Sequence, residues 1–197
     1  IVTQESEEEL NSSNILKSSA SRGTQIHEII SQAIIHGIDQ VDFQDMVSDK
    51  NSILWVVDKL KKYMDNYELV SEKPIKFELF GYMISGIPDL IIQNKDKSAP
   101  SEVWDFKTGA YSESKLASYY FQLYAYAYAN YILGHTESSA LTNLVLCFVD
   151  EQKLVEKSVS LENVEKYLTK EIQKLNTPDQ RNEESCKYCS FQPICEK

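Results

Sequence analysis

Residues 101–109, Ser-Glu-Val-Trp-Asp-Phe-Lys-Thr-Gly, set an acid and a base two positions apart, Asp105 and Lys107, interleaved with Trp104 and Phe106. Residues two apart on a strand share a face. Trp104 and Phe106 would bury one side, and a carboxylate and an ammonium would stand together on the other. A second acid, Asp89, lies in Gly-Ile-Pro-Asp-Leu-Ile-Ile, with Ile87 and Ile91 on its side of that strand. Pro88 has no N–H to give to a ladder, so the sheet is locally open there. The turn Asn-Lys-Asp-Lys-Ser-Ala-Pro joins the two segments, so Asp89 and Asp105 fall on consecutive strands as neighbours. Adjacent carboxylates repel unless a cation sits between them, and oxygen ligands select a hard ion such as Mg²⁺ or Mn²⁺. An ammonium beside that ion orients an attacking water or stabilises charge on a phosphate. Two acids and a lysine so placed suit hydrolysis of a phosphodiester.

These groups need a frame. The spacing of Ile26, Ile29, Ile30, Ala33 and Ile34 predicts a helix that starts near Thr24. A second helix is predicted over 52–67, with Trp55 and Leu60 toward the core. Residues 73–93 read as two extended segments bent at Gly81 and Gly86, and 101–109 as the next strand. A long helix follows, closed by Gly134, and then a hairpin around Asp150 to Gln152. Leu161–Leu175 has the pattern of an amphipathic surface helix. Helices, three strands, a helix, a strand pair and a helix make an α/β domain on a mixed central sheet flanked by helices. The expected organisation is an acidic flank over 1–20, a core over 21–176, and a linker with a Cys-rich clasp over 177–197.

Composition bounds the reading. The chain has 197 residues, 42% hydrophobic and 25% charged, with a net charge of −10. That suits one soluble domain with a substantial core. It argues against a free-standing, charge-driven nucleic-acid binder, but not against a domain whose partner or parent chain supplies a basic track. There is no membrane-spanning run and no secretory pattern, so a cytoplasmic location is expected. The chain opens without Met, which suggests a piece of a longer or processed chain. Cys147 stands alone in Leu-Val-Leu-Cys-Phe and reads as a small apolar core residue. Cys186, Cys189 and Cys195 crowd the end, and in a reducing compartment such thiols bind a metal rather than pair as disulfides. Thiolates favour zinc or an iron–sulfur cluster over hard ions.

Pro-Asp followed after a short turn by Asp-Phe-Lys resembles the P-D…(D/E)-x-K pattern of restriction-endonuclease-like nucleases. Three further segments resemble the RecB-type branch of that family. Arg-Gly-Thr-Gln-Ile-His, ending at His27, is similar to its Gly-x-x-x-His element. Gln122 and Tyr126 are similar to its Gln-x-x-x-Tyr element. The C-terminal cysteines are similar to those of its iron–sulfur members. The resemblance runs over residues 22–195 and implies a restriction-endonuclease-like fold. It implies His27, Asp89 and Asp105 as side-chain metal ligands, the Phe106 carbonyl as a backbone ligand, and Lys107 as the catalytic lysine. Gln122 and Tyr126, on one helix face, would line the site and contact DNA or position Lys107.

The resemblance further implies a Mg²⁺- or Mn²⁺-dependent DNA exonuclease acting on single strands or DNA ends. It would serve a RecB/AddAB-like helicase–nuclease in double-strand break repair and recombination, with the motor elsewhere in the parent chain or in a partner subunit. The alternatives are a stand-alone CRISPR-adaptation-type exonuclease and an inactive DNA-end or subunit-docking module. Iron–sulfur members use four cysteines, the first of them upstream of the His element, and residues 1–26 contain none. The fourth ligand would come from before Ile1, from Cys147 or from another residue type; otherwise the three thiols hold zinc or nothing. On residues alone, a surface histidine is the better reading of His27, and a tyrosine-rich packing helix the better reading of Gln122 and Tyr126. His36 falls about half a turn from His27 and should not share the site, and His135 is expected to be solvated.

Overall fold

The computed structural model describes residues 21–43 and 46–175, and the expected acidic flank and the C-terminal cysteines lie outside them. Helix α1 covers residues 21–36, already under way at Thr24, and buries Ile26, Ile30 and Ala33 at the spacing of one helical face. Helix α2, Lys50–Leu60, buries Ile53, Val56, Val57 and Leu60, while Trp55 is only half-buried. The helix expected over 52–67 therefore ends early. A 3₁₀ turn, Lys61–Tyr63, closes it, and Tyr67 opens strand β1, Tyr67–Ser71. Leu60, Tyr63 and Tyr67 are at helical spacing and all face the same core, which is why periodicity alone carried the helix too far.

The stretch read as two extended segments is three strands: β2, Ile75–Leu79; β3, Tyr82–Gly86; and β4, Leu90–Asn94. The first two pair as a separate two-stranded hairpin, and β4 joins the main sheet. Strand β5, Ser101–Lys107, helix α3, Glu113–Ile132, strands β6, Thr142–Phe148, and β7, Lys153–Val159, and helix α4, Leu161–Leu175, then follow the order read from the sequence. The main sheet runs β1-β4-β5-β6-β7, with β5 and β6 parallel and the other pairs antiparallel. The crossover between the parallel pair is α3, as such a connection requires. An α/β fold with a mixed central sheet flanked by helices is thus what the chain forms.

Each face of the sheet has its own core. Leu90, Ile92, Trp104, Phe106, Val145 and Cys147 turn toward α1 and α2. Val103, Leu144, Leu146 and Phe148 turn toward α3 and α4, together with Phe77 and Leu79 of the hairpin. The β5 alternation predicted at the outset holds: Trp104 and Phe106 are buried on one side, Asp105 and Lys107 stand on the other.

Candidate active site

The β4–β5 ladder ends at Leu90↔Trp104. Beyond that point Phe106 has no β4 partner, and Asp89 fills the gap from a bend just before β4 rather than from within a strand. Its Oδ2 accepts the Phe106 N–H at 2.6 Å, and its Oδ1 lies 3.2 Å from Nδ1 of His27 on α1. The N–H and C=O of one strand residue project to the same edge. The Phe106 carbonyl therefore faces the opening that Asp89 occupies, while the Lys107 carbonyl turns the other way and accepts the Val149 N–H at 2.9 Å.

Asp105 is 2% exposed. Lys107 Nζ donates to its Oδ1 at 2.9 Å and sits 2.7 Å from Oδ2. The second approach lacks hydrogen-bond geometry, so Oδ2 is a buried oxygen without a hydrogen-bond donor. Burial pushes the Asp105 carboxyl up to about 6; the Asp89 charge adds to this, and Lys107 and His27 oppose it. His27 is held above its usual 6.5: burial would lower it, but the hydrogen bond and charge of Asp89, with the charge of Asp105, outweigh burial. The structure thus brings His27, Asp89, Asp105 and Lys107 together, as the sequence reading expected. His36 and His135 are exposed and stand apart from this group.

A cleft of about 500 Å³ opens over the cluster, lined by His27, Glu28, Glu72, Phe106 and Lys107 among others. Glu28 and Glu72 were not anticipated. Glu28 follows His27 directly, which was a usable signal. Glu72 follows β1, adopts a positive φ of 49° and donates its N–H to the Asp89 carbonyl at 3.2 Å, a tertiary arrangement that nothing local announces.

The hydrogen bonds of Gln122 and Tyr126 run to each other and to the segment before Asp89. Gln122 Nε2 donates to the Tyr126 hydroxyl at 3.2 Å, and that hydroxyl donates to the Ile87 carbonyl at 3.1 Å. Gly86 makes room for the ring: a Cβ there would meet the Tyr126 hydroxyl oxygen at 2.8 Å. The pair braces the backbone two residues before Asp89. The aromatic that touches Lys107 is Tyr119, whose ring centroid lies 4.6 Å from Nζ. It precedes Gln122 by three residues on the same helix, so spacing could have found it.

Arg22, inside the segment read for His27, makes a clasp that was also missed. It pairs with Asp49 at the start of α2 and, at 2.7 Å, with Asp150 in the β6–β7 turn. Asp150 in turn accepts the Gly109 N–H at 2.6 Å. Gly109 has φ +96°, a conformation that favours glycine. The hydrogen bond from Arg22 holds the Asp150 carboxyl below its usual range. One arginine thus fixes the start of α1, and with it His27, against the loop leaving Lys107.

The donors suit a hard cation: two carboxylates, a strand-edge carbonyl and an imidazole around a buried oxygen with no donor. They are not yet gathered. Among the described residues no three of His, Cys, Asp and Glu converge as a ready metal cage; Asp89 is engaged on both oxygens and Asp105 by Lys107.

The chain matches the model of the PD-(D/E)XK nuclease superfamily over residues 5–196. It belongs to that superfamily. Phosphodiester hydrolysis is the superfamily's chemistry, and its nucleases generally use divalent metals such as Mg²⁺ or Mn²⁺. No curated protein matches the chain. Among solved structures, a "Putative exonuclease" from Eubacterium rectale is similar with a TM-score of 0.51 at 9% identity, covering 89% of this chain and 74% of that one. The likeness is one of fold. The crystal structure of SSO0001 is 21% identical over 88% of this chain and 81% of that one, at a TM-score of 0.40, too low to carry weight.

Cys147 is fully buried among Val145, Val149 and Trp104. Burial pushes its thiol up to about 12. A thiol so disposed stays protonated and packs; it is a poor source for the fourth ligand of the C-terminal cysteines.

Proposed function

We propose that this chain is the nuclease domain of a RecB-type helicase–nuclease, cutting DNA with Mg²⁺ or Mn²⁺ in double-strand break repair and recombination. The observation that carries the metal chemistry is the buried Asp105 carboxylate beside Asp89, whose Oδ2 has Lys107 Nζ at ion-pair distance but no hydrogen-bond donor. A cation would remove the cost of keeping that carboxylate charged. The similar Eubacterium rectale protein, named as an exonuclease, and the order of the His27, Asp89, Asp105, Lys107 and Gln122–Tyr126 elements support an end-processing role. The intact triad of Asp89, Asp105 and Lys107 weighs against an inactive docking module.

Asp89, Asp105 and the Phe106 carbonyl would hold the ion, with His27 completing the set once its imidazole is neutral. When bound, the ion supplies Lewis acidity and an activated water. Lys107, steadied by Asp105 and the Tyr119 ring, places a positive charge where a phosphate oxygen gains negative charge. Tyr126 and Gln122 keep the Asp89 segment in register with β5. Cys186, Cys189 and Cys195 would hold a [4Fe–4S] cluster, with zinc as the alternative. That part rests on spacing and resemblance alone.

Digestion of end-labelled linear DNA and of circular DNA, each with Mg²⁺, Mn²⁺ or EDTA, tests the reading. Metal-dependent release of end label, with circles spared, is the expected result. No cleavage of either substrate in any metal would overturn it.

A further inference from the structure

In a chain with 30 acids against 20 Lys and Arg, cations without an acidic partner are informative, and two of them lie on the sheet face that carries Lys107. Lys107, Phe148 and Lys153 are successive partners across β5, β6 and β7, so they share a face. Lys107 and Lys153 are therefore about 10 Å apart, at two strand spacings. Lys157 is four residues further along β7 on the same face, about 13 Å beyond Lys153. Each ammonium rests on tyrosine. Lys153 Nζ lies 3.4 Å from the Tyr111 ring centroid, and Lys157 Nζ lies 5.7 Å and 5.4 Å from those of Tyr120 and Tyr124.

Both lysines are exposed, and among the described residues neither has a carboxylate within ion-pair distance, unlike Lys107. Glu151, which accepts the Tyr111 N–H at 2.7 Å, is the acid near the Lys153 end. Glu156 lies on the opposite face by strand alternation. A ring face fixes an ammonium and strips water from one side of it, which leaves the other side to an anion. Phe148 fills the row between, packed edge-on by Tyr111 at 5.1 Å.

We propose that Lys153 and Lys157 form a phosphate track that carries the backbone of the cut strand away from Lys107 across β7. The occupant is the phosphodiester chain of a nucleic-acid strand. This rests on the nuclease reading for its direction, since the track starts at the catalytic lysine.

The test is equilibrium binding of a fluorescein-labelled oligodeoxynucleotide, single-stranded or annealed to its complement, in EDTA over a salt series. Each phosphate contact on a single strand contributes about 0.7 to the slope of log K against log salt. Lys153→Ala with Lys157→Ala should lower the slope by about 1.4, so that on going from 1 M to 0.1 M salt the variant gains about 25-fold less affinity than the native chain. The Lys153→Arg, Lys157→Arg pair should keep the slope. The control is Lys166→Ala with Lys170→Ala, two exposed lysines on α4 that carry the same charge change.

An unchanged slope in the β7 pair, or an equal drop in the α4 pair, would overturn the track, as would no binding of either oligonucleotide by the native chain. Loss confined to the β7 pair for single strands supports the track with a single strand as occupant; equal loss for duplex supports it with a strand held within duplex. Cleavage by the native chain is scored separately with Mn²⁺. Cleavage with an unchanged slope would remove the track alone. A track-dependent slope without cleavage would remove the nuclease reading and leave a binding surface.

Discussion

The two faces of the central sheet are built from different materials. The face under α1 and α2 is mostly aliphatic, with Ile26, Ile30, Ile53, Leu60, Leu90 and Ile92 all fully buried. The face under α3 is rich in tyrosine, with Tyr119, Tyr120, Tyr124, Tyr126 and Tyr131 in or against its core. The aliphatic face stabilises by area removed from water and needs no polar partner. The tyrosine face also buries large side chains but must satisfy their hydroxyls. Tyr126 does so on the Ile87 carbonyl and Tyr131 on the Ala140 carbonyl, each joining a helix to a specific loop. The candidate site sits where the faces meet: His27 and Phe106 belong to the first, Asp105 and Lys107 to the second, and Asp89 bridges the strand end. One face therefore supplies stability, and the other supplies placement and charge.

The sharpest test of that division is Asp105→Asn. The metal-bound reaction should slow by at least about 10²–10³-fold, the range for losing one preorganised charge-stabilising group, and calorimetric metal binding should weaken with it. Lys107→Ala should lose as much activity while keeping the metal affinity, because an ammonium is not a ligand. Equal loss of metal affinity in both would break the assigned roles. The same carboxylate has a pH signature without metal. Its folded value near 6 exceeds the ordinary 3.8, so the folded state binds the proton more tightly. Its stabilising contribution is fully present in acid and is lost as pH rises from about 4 to 6. The native chain should therefore lose about 2 kcal/mol relative to Asp105→Asn between pH 4 and pH 7 in EDTA. Denaturant titrations at the two pH values read this difference, and added Mn²⁺ should offset it.

On the aliphatic face the expectation reverses. Ile92→Ala, at a fully buried β4 position, should cost about 2–5 kcal/mol through lost burial and a residual cavity. Below its lowered melting temperature the kcat should stay within about twofold of native, since Ile92 lies in the core and not among the residues lining the cleft. A kcat loss beyond tenfold at a temperature where the variant is fully folded would show that the faces are not separable.

Tyr126→Phe should do the opposite at smaller scale. Losing one hydrogen bond to the Ile87 carbonyl costs about 1 kcal/mol. Loosening the Asp89 segment should cost about 10–100-fold in activity or metal affinity, the usual penalty for removing a group that orients a ligand. Gly86→Ala should mimic it, because its methyl would displace the same hydroxyl. A stability loss with unchanged kcat and metal binding would return Tyr126 to plain packing.

How far these parts were legible in the sequence follows from the range of the forces involved. Asp105 and Lys107 were readable because strand alternation is local, and the Trp104–Phe106 side confirmed the pattern. The β6–β7 hairpin, α3 and α4 carried strong periodicity and turn residues. β1 was lost because Tyr67 continues a helical spacing, and the β3–β4 break because Gly86 was taken as a bend within one segment. Asp89 was found by type and order, but its position in a bend came from the end of the β4–β5 ladder. Arg22 and Glu72 were missed for a shared reason. Each acts through partners far away in sequence, as in the separation between Arg22 and Asp150, and single-sequence patterns report neighbours within a turn or two.

The smallest expected effect concerns Cys147, on the aliphatic side of the sheet. Two accounts of this thiol differ in what they bury. As a packing residue it contributes a small apolar volume between Val145 and Val149, and Cys147→Ala should cost about 1–2 kcal/mol with no other consequence. As a ligand for the C-terminal cysteines it would have to ionise, against a burial that already pushes its thiol up to about 12. It would also have to leave a position with no solvent exposure. Reconstituting the native chain and Cys147→Ala anaerobically, then measuring iron and zinc per chain, separates the accounts. Equal metal content in the two, with Cys189→Ser losing it, is the expected outcome and keeps Cys147 in the core. A loss of metal in Cys147→Ala as complete as in Cys189→Ser would mean that β6 opens to deliver its thiol, and the aliphatic face could no longer be regarded as purely structural.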